Sequence, residues 1–376
     1  MANPFSSLFS GFFKKQSASV LGIDIGSSSI KVVQLRKDKG RAILETYGEL
    51  ALGPYAGIEI GRATNLAQEK ITEALRDVLK ESNVTTKECG ISIPSSSSLL
   101  SFIHMPVSNK EQLDTMVPIE ARKYVPVPIS EVSLDYRPIP KEENSFSEFE
   151  KVPTGGDAPK DVGTDIMLVV IHNDVLNRLS TISESTGLST AFFEIEIFSS
   201  MRSVVDQSLD TELVFDMGAG STKLYIIDRT VLRSSHTINR GSQEITLALS
   251  RSLGVPVGEA EHMKRSIGIS PMPEHKNVRE IIELNLDYIF SETNRVIVNY
   301  QHHYNKNLSR VILTGGGSLL KGFLDLARTR FQTEVVLGDP FSKTDAPAFL
   351  TPVLKTAGPE FAVAIGIALR RLQELE

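Results

Sequence analysis

A single cysteine, Cys89, stands among the 376 residues of this sequence. One thiol excludes an intrachain disulfide and a cysteine zinc cluster, and it fits a reducing compartment. No apolar run approaches the ~18 residues that a membrane-crossing helix needs. Sustained runs of lysine or arginine are also missing and the formal net charge is −6, so nucleic acid is not expected as a partner. Met1 to Lys15 places its positive charges after its apolar residues rather than before them, unlike a secretory leader. What remains is 41% hydrophobic and 23% charged. That is ordinary globular composition, with length for two or three domains that each bury a core.

The stretch that organises the chain is Leu21 to Val33, Leu-Gly-Ile-Asp-Ile-Gly-Ser-Ser-Ser-Ile-Lys-Val-Val. It sets Asp24 at the end of a short β-rich run, then a small-residue turn, then a second apolar run. Gly26 and the serines offer backbone N–H groups and hydroxyls that suit phosphate oxygens, with Lys31 to neutralise charge and Asp24 to face a metal ion. Hairpins of this kind also occur in proteins that bind nothing there. The pattern recurs, however, at Leu213 to Ile227, where Asp216, Gly218, Gly220, Ser221, Thr222 and Lys223 follow in the same order. Two such hairpins point to an internal duplication, and two halves facing each other would clamp a polyphosphate between two turns.

Along the chain, Phe5, Leu8, Phe9, Phe12 and Phe13 fall at helical spacing before Lys14 and Lys15. They outline an amphipathic helix for a membrane surface or partner; a helix packed on the core or a loose tail fits the same pattern. A strand over 41–50, a helix over 65–81 and a strand over 89–93 complete a first unit. Residues 95–188 change character and read as an inserted αβ subdomain, with strands near 99–105, 132–139 and 166–171 and helices over 111–124 and 175–185. Within it, 141–164 has too little apolar content to pack and is expected to be a mobile loop. A strand (192–195) and a helix (198–205) then link to the second hairpin. Beyond it come a strand (232–237), helices over 242–253, 258–265 and 278–299, a buried strand at 311–314, the sharp turn Gly315-Gly316-Gly317-Ser318, and a closing helix over 360–372. Small residues around Gly366 let that last helix pack closely on another.

Five segments now stand in order: the first hairpin, the linking helix at Glu196, the second hairpin, the Gly315–Gly317 turn and the helix at Gly366. The chain thereby resembles the actin, Hsp70 and FtsA superfamily of ATP-binding proteins over nearly its whole length. The resemblance implies an α/β actin-like ATPase fold, two ribonuclease H-like halves around a nucleotide cleft. The first half would comprise 19–94, 189–210 and 359–376, preceded by the amphipathic segment 1–18. The insert would be 95–188 and the second half 211–358. By the same resemblance, Gly26, Ser27, Ser28, Lys31, Gly218, Gly220, Ser221 and Thr222 would lie on the phosphates of ATP. Asp24 and Asp216 would face Mg2+, Gly315, Gly316 and Gly317 would make room for adenosine, and Glu261, Lys264 and Arg265 would hold ribose and base. A solvated helix face is the other reading of those last three residues. Water attack on the γ-phosphate would fall to Glu196 and Asp216, with Glu194 in reserve. Slow or absent turnover is compatible with that set.

Within the superfamily the insert, and Ala121-Arg122-Lys123-Tyr124-Val125-Pro126-Val127-Pro128 in it, is similar to the PilM family of type IV pilus assembly proteins. That similarity implies an ATP-binding cytoplasmic protein, peripheral on the inner membrane. It would capture the short cytoplasmic tail of a PilN-like membrane protein in a groove beside the insert. An FtsA-like cytoskeletal membrane tether ranks second, although FtsA usually ends in a membrane-targeting helix and this sequence stops at Glu376, straight after the closing helix. A sugar kinase of the same fold ranks third, since no sugar site with an aspartate base is evident. A scaffold that binds no nucleotide is disfavoured by the intact glycines and both aspartates.

Overall fold

In the computed structural model, residues 18–140 and 163–375 are described. The expected helix at 3–15 and nearly all of the expected loop at 141–164 lie outside the described residues.

The first half opens with an antiparallel pair, β1 (Ser19–Ile25) and β2 (Ser29–Asp38), to which β3 (Arg41–Ala51) adds beside β2. Strand alternation decides what each face meets. Leu21, Ile23 and Ile25 point into one core cluster and Val20 into another on the opposite face. Helix α1 (Gln68–Glu81) covers the first face with Ile71, Ala74, Leu75 and Val78 at amphipathic spacing. The chain then returns as β4 (Glu88–Ile93), parallel to β1.

From β4 the chain leaves the sheet through a 3-10 turn, Ser95–Ser97, and builds the insert. Strand β5 (Ser98–Met105), helix α2 (Lys110–Ala121) and strands β6 (Val132–Pro138) and β7 (Thr164–His172) form it, with β7 between β5 and β6. Asn109 starts α2 by accepting the Glu111 N–H at 2.8 Å. Ile103, Met105, Leu113, Val117, Ile166 and Leu168 give this unit a core of its own. Helix α3 (Asn173–Ser185) does not share that core: its Leu179 and Ile182 pack with α1 in the first half. Strand β8 (Ser189–Ile195) then rejoins the first sheet, whose order is β3-β2-β1-β4-β8.

Helix α4 (Glu196–Val204) crosses to the second half, where β9 (Thr211–Met217), β10 (Thr222–Asp228) and β11 (Val231–Ile238) repeat the opening. Helices α5 (Ser242–Leu253), α6 (Val257–Ser266) and α7 (Lys276–Tyr304) precede β12 (Arg310–Thr314). Helix α8 (Phe323–Arg330) and strand β13 (Glu334–Leu337) follow. The second sheet runs β11-β10-β9-β12-β13, with two antiparallel neighbours and then two parallel ones, as in the first. The duplication foreseen from the hairpins therefore extends through the whole sheet.

Helix α9 (Thr351–Ala357) leads to a 3-10 turn, Gly358–Phe361, and to the closing helix α10 (Ala362–Glu374). By length and composition the stretch Ala348–Glu374 could cross a membrane, against the expectation that no run comes near one. About two thirds of its most apolar window is buried inside the protein, as for a core helix. It lies over the first sheet at backbone contact, where a Cβ on Gly22 would come 1.9 Å from the Ala364 carbonyl oxygen. On its other side a Cβ on Gly366 would come 1.9 Å from the Ser199 carbonyl oxygen of α4.

Candidate functional site

The two hairpin tips have the same turn. Gly26 N–H donates to the Ser29 carbonyl at 3.0 Å, and Gly218 N–H donates to the Ser221 carbonyl at 2.9 Å. Strand register then sets Asp24 opposite Lys31 and Asp216 opposite Lys223. The tips meet: a Cβ on Gly220 would sit 3.6 Å from Ser27 Oγ and 3.5 Å from Ala63 Cβ. The first two N–H groups of α5 brace the second tip by donating to the Gly218 and Ala219 carbonyls at 2.9 and 3.0 Å. Between the halves lies a cleft of about 360 Å³ that takes in both turns, both aspartates, both lysines and Glu196.

Charge in this cleft is concentrated and poorly solvated. Burial pushes Asp216 up to about 6, against the attraction of Lys223, and burial also raises Asp24, whose Oδ1 accepts a 2.8 Å hydrogen bond from Ser92 Oγ. Glu196, first residue of α4, goes the other way. Burial would raise it, but Lys223 at 2.6 Å and the Ser95 N–H at 2.6 Å hold it ionised below the usual carboxylate range. Lys31 donates to Ser29 Oγ at 2.7 Å and pairs with Glu49 at 3.2 Å. Burial works against its charge, but Glu49 and Asp24 outweigh it and raise the pKa. Glu360, from the turn before α10, rises to about 7 through burial and the nearby Glu49.

The opposite end of the cleft is built by α5 and α6. Glu261 accepts from Thr246 Oγ1 at 2.6 Å and pairs with Lys264 and Arg265, both at 2.7 Å. Burial lowers Lys264 despite its acid, while on Glu261 burial is outweighed by the Lys264 charge together with the hydrogen bonds from Lys264, Thr246 and Arg265, which keep the carboxylate ionised. A strap from the first half, residues 57–64, crosses to this end. Gly61, at φ +92°, lies so close to Glu261 that a Cβ would come 2.5 Å from its carboxyl carbon. The Ala63 N–H donates to Gln243 Oε1 at 3.0 Å, and Thr64 N–H donates back to the Ser27 carbonyl at 2.7 Å.

Most residues expected from the sequence meet here: Asp24, Gly26, Ser27, Ser28, Lys31, Glu196, Asp216, Gly218, Gly220, Ser221, Glu261, Lys264, Arg265 and Gly315, Gly316, Gly317 all line the cleft. Thr222 does not. It is fully buried, with its hydroxyl donating to the Arg240 carbonyl at 2.8 Å, because alternation turns it away from the face that Lys223 shares with the cleft. Glu194 is also elsewhere, clasped by Arg202 at 2.7 and 2.8 Å and by Arg370 at 2.9 Å behind α4. The three glycines differ in what they do. Gly315 needs φ +79° and would strike Asp216 with any Cβ, and Gly317 would strike Met217, so both are set by packing against the end of β9. Gly316 alone of the three leaves open space, its Cβ position 3.6 Å from Glu360. Sequence reasoning missed Glu49 and Glu360, which carry no motif. It also left Lys223 off the site, although its register with Asp216 repeats that of Lys31 with Asp24.

Comparison with known proteins agrees with this architecture. Residues 22–372 match the sequence model of a family described as type IV pilus assembly protein PilM. The chain superposes on one from a PilM–PilN type IV pilus biogenesis complex with TM-score 0.77 and 22% identity, covering 94% of this chain and 98% of that one. MreB5 of Spiroplasma citri bound to AMPPNP gives TM-score 0.51 at 9% identity, over 95% and 97% of the two chains. Cell division protein FtsA of Agrobacterium fabrum is 23% identical over 242 residues, 55% of this chain and 51% of that protein, so the chain spans about half the length of that relative. These likenesses show the actin-like ATPase fold.

Proposed function

Since the chain belongs to the type IV pilus assembly protein PilM family, we propose that it is an assembly protein of a type IV pilus platform that binds ATP with Mg2+ in the cleft between its halves. The observation that carries this reading is the pair of equivalent hairpins meeting tip to tip, each presenting an aspartate and a lysine in register. Two turns of bare N–H groups and hydroxyls can hold the phosphates, and Lys31 and Lys223 can neutralise them. Asp24 and Asp216 are carboxylates that burial makes costly to ionise, and a divalent ion would relieve that cost, so the residues present fit a metal. When bound, Mg2+ would neutralise phosphate charge and order the triphosphate. Glu261, Lys264 and Arg265 would hold the ribose and base, beneath the Gly61 strap. MreB5, which shares the fold, has been solved with AMPPNP bound.

Hydrolysis is a separate matter from binding. Glu196 and Ser200 are the polar residues of the linking helix that line the cleft, but both oxygens of Glu196 are engaged, one by Ser95 and one by Lys223. Asp216 would have to bind metal and aid water attack at once, so slow turnover is the reading these residues support.

For the partner, the PilM–PilN complex supports a PilN-like protein; its cytoplasmic tail would lie in a groove between the insert and the first half. That role places the protein in the cytoplasm, peripheral on the inner membrane, with residues 3–15 as a second contact to the membrane surface. The test is calorimetry with Mg-ATP on the wild type, Asp24→Ala and Asp216→Ala. Each variant should lose at least tenfold in affinity, about 1.4 kcal/mol. Unchanged affinity in both would refute the site.

A further inference from the structure

We propose that Glu196 is the positioning residue through which the nucleotide acts on the inserted subdomain: it ties the Ser95 amide at the insert's entrance to Lys223 beside the second phosphate turn. This rests on the nucleotide reading above and adds a route by which the bound phosphates are sensed.

Three units of the molecule meet at this one buried carboxylate. Glu196 belongs to α4, Lys223 to the second half, and Ser95 opens the 3-10 turn from which β5 leaves for the insert. Glu196 Oε1 accepts the Ser95 N–H at 2.6 Å and Oε2 accepts Lys223 Nζ at 2.6 Å. The first N–H of a helical turn has no partner within that turn, and Pro94 just before it has no N–H at all, so Glu196 holds the first backbone donor after β4. Lys223 in turn lies two residues beyond the Gly218–Ser221 turn, 3.9 Å from Asp216.

A terminal phosphate on that turn competes with Glu196 for the Lys223 ammonium. A carboxylate buried to 6% exposure cannot stay ionised in place once its counter-ion turns away. It must follow the Lys223 ammonium or take up a proton, and either change weakens its hold on Ser95. The surroundings leave room for this. Glu196 and Lys223 also border a second cavity of about 300 Å³, behind the hairpins, which reaches Ser96 and Ser97 of the insert's entrance and Leu179 of α3. In this proposal the phosphate that reaches Lys223 is the third one, which a diphosphate lacks, so the insert is held firmly with ADP and loosened with ATP. By reciprocity, a partner that fixes the insert changes the affinity for ATP by the factor by which ATP changes its own.

The Ser95 amide is its own reporter. Hydrogen exchange at Ser95, resolved with overlapping peptides, is measured on the wild-type protein alone, with Mg-ADP and with Mg-AMPPNP, and calorimetry under the same conditions establishes occupancy. The relay predicts equal protection in the free and ADP states and roughly tenfold faster exchange with AMPPNP. Glu196→Ala should exchange fast in every state, while the β9–β10 amides stay protected and so report an intact fold. AMPPNP bound with Ser95 exchange unchanged would overturn the relay alone. A nucleotide response that survives in Glu196→Ala would also overturn it. No binding of AMPPNP would overturn the nucleotide reading and the relay together.

Discussion

At the scale of the residue, the cleft is set by where strand alternation and burial put its charges. The place of Asp24 and Asp216 in the cleft was legible because each ends an apolar run and precedes a glycine turn. Thr222 was misread because it sits in the same motif, one residue out of phase with the face that matters. Glu49 and Glu360 were not legible at all, since they reach the cleft from 25 residues after Asp24 and 144 after Asp216, with no local pattern to mark them. Burial gives Asp216 a testable signature. Its native pKa of about 6, against 3.8 unperturbed, means that the folded protein binds that proton more tightly than the unfolded chain. Stability from this group is therefore full at acid pH and is lost as pH rises from about 4 to about 6. That difference corresponds to about 3 kcal/mol at most. Asp216→Asn is expected to raise the melting temperature of the nucleotide-free protein at pH 7.5 and to abolish the further rise expected of the wild type with Mg-ATP. Wild-type affinity for Mg-ATP should fall as pH drops below about 6, where the carboxyl is protonated, and the Asn variant should lack that limb. A variant that melts lower than wild type without nucleotide would contradict this account of Asp216.

At the scale of the element, the closing helix and the strap carry the consequences. The run of small residues at 362–368 announced close packing, and the structure shows why the glycine is needed at 366: any Cβ there meets the Ser199 carbonyl of α4. Gly366→Ala must push α10 and α4 apart, so it should cost about 1–3 kcal/mol in denaturant unfolding. No loss of stability would mean that the helices yield freely. The strap was invisible in the sequence because its contacts to Glu261 and Gln243 lie roughly 180–200 residues away. Removing its cross-cleft bond with Gln243→Ala should speed dissociation of a fluorescent ATP analogue severalfold, read by stopped flow, and an unchanged rate would show that the strap does not gate the site. Helices α8 and α9 and strand β13 also escaped the sequence reading. Each is 8 residues or fewer, and Pro340, Pro347 and Pro352 break the periodicity around them.

At the scale of the whole molecule, duplication was the most legible feature. Two hairpins of the same composition implied two halves, and the halves share one strand order. The insert's separate three-stranded sheet was legible strand by strand, but its edge was not, since α3 shares a core cluster with α1 as well as with β7. That edge fixes how the partner site should be tested. Replacing residues 98–172 and leaving α3 in place keeps Leu179 and Ile182 packed with α1, while Ile139 and Met167 leave with the insert. This exchange for the FtsA equivalent is expected to abolish binding of a labelled PilN-like tail peptide in fluorescence anisotropy, whereas Asp216→Ala should retain it. Tail affinity that survives the exchange would place the partner elsewhere and favour an FtsA-like role. The claim on which all of this turns is that both halves hold one nucleotide together, and a crystal structure grown with Mg-AMPPNP tests it most directly. The account predicts phosphates between the Gly26–Ser29 and Gly218–Ser221 turns, a metal ion facing Asp24 and Asp216, and the base against α6. A nucleotide bound by one half alone, or an empty cleft at saturating AMPPNP, would contradict it.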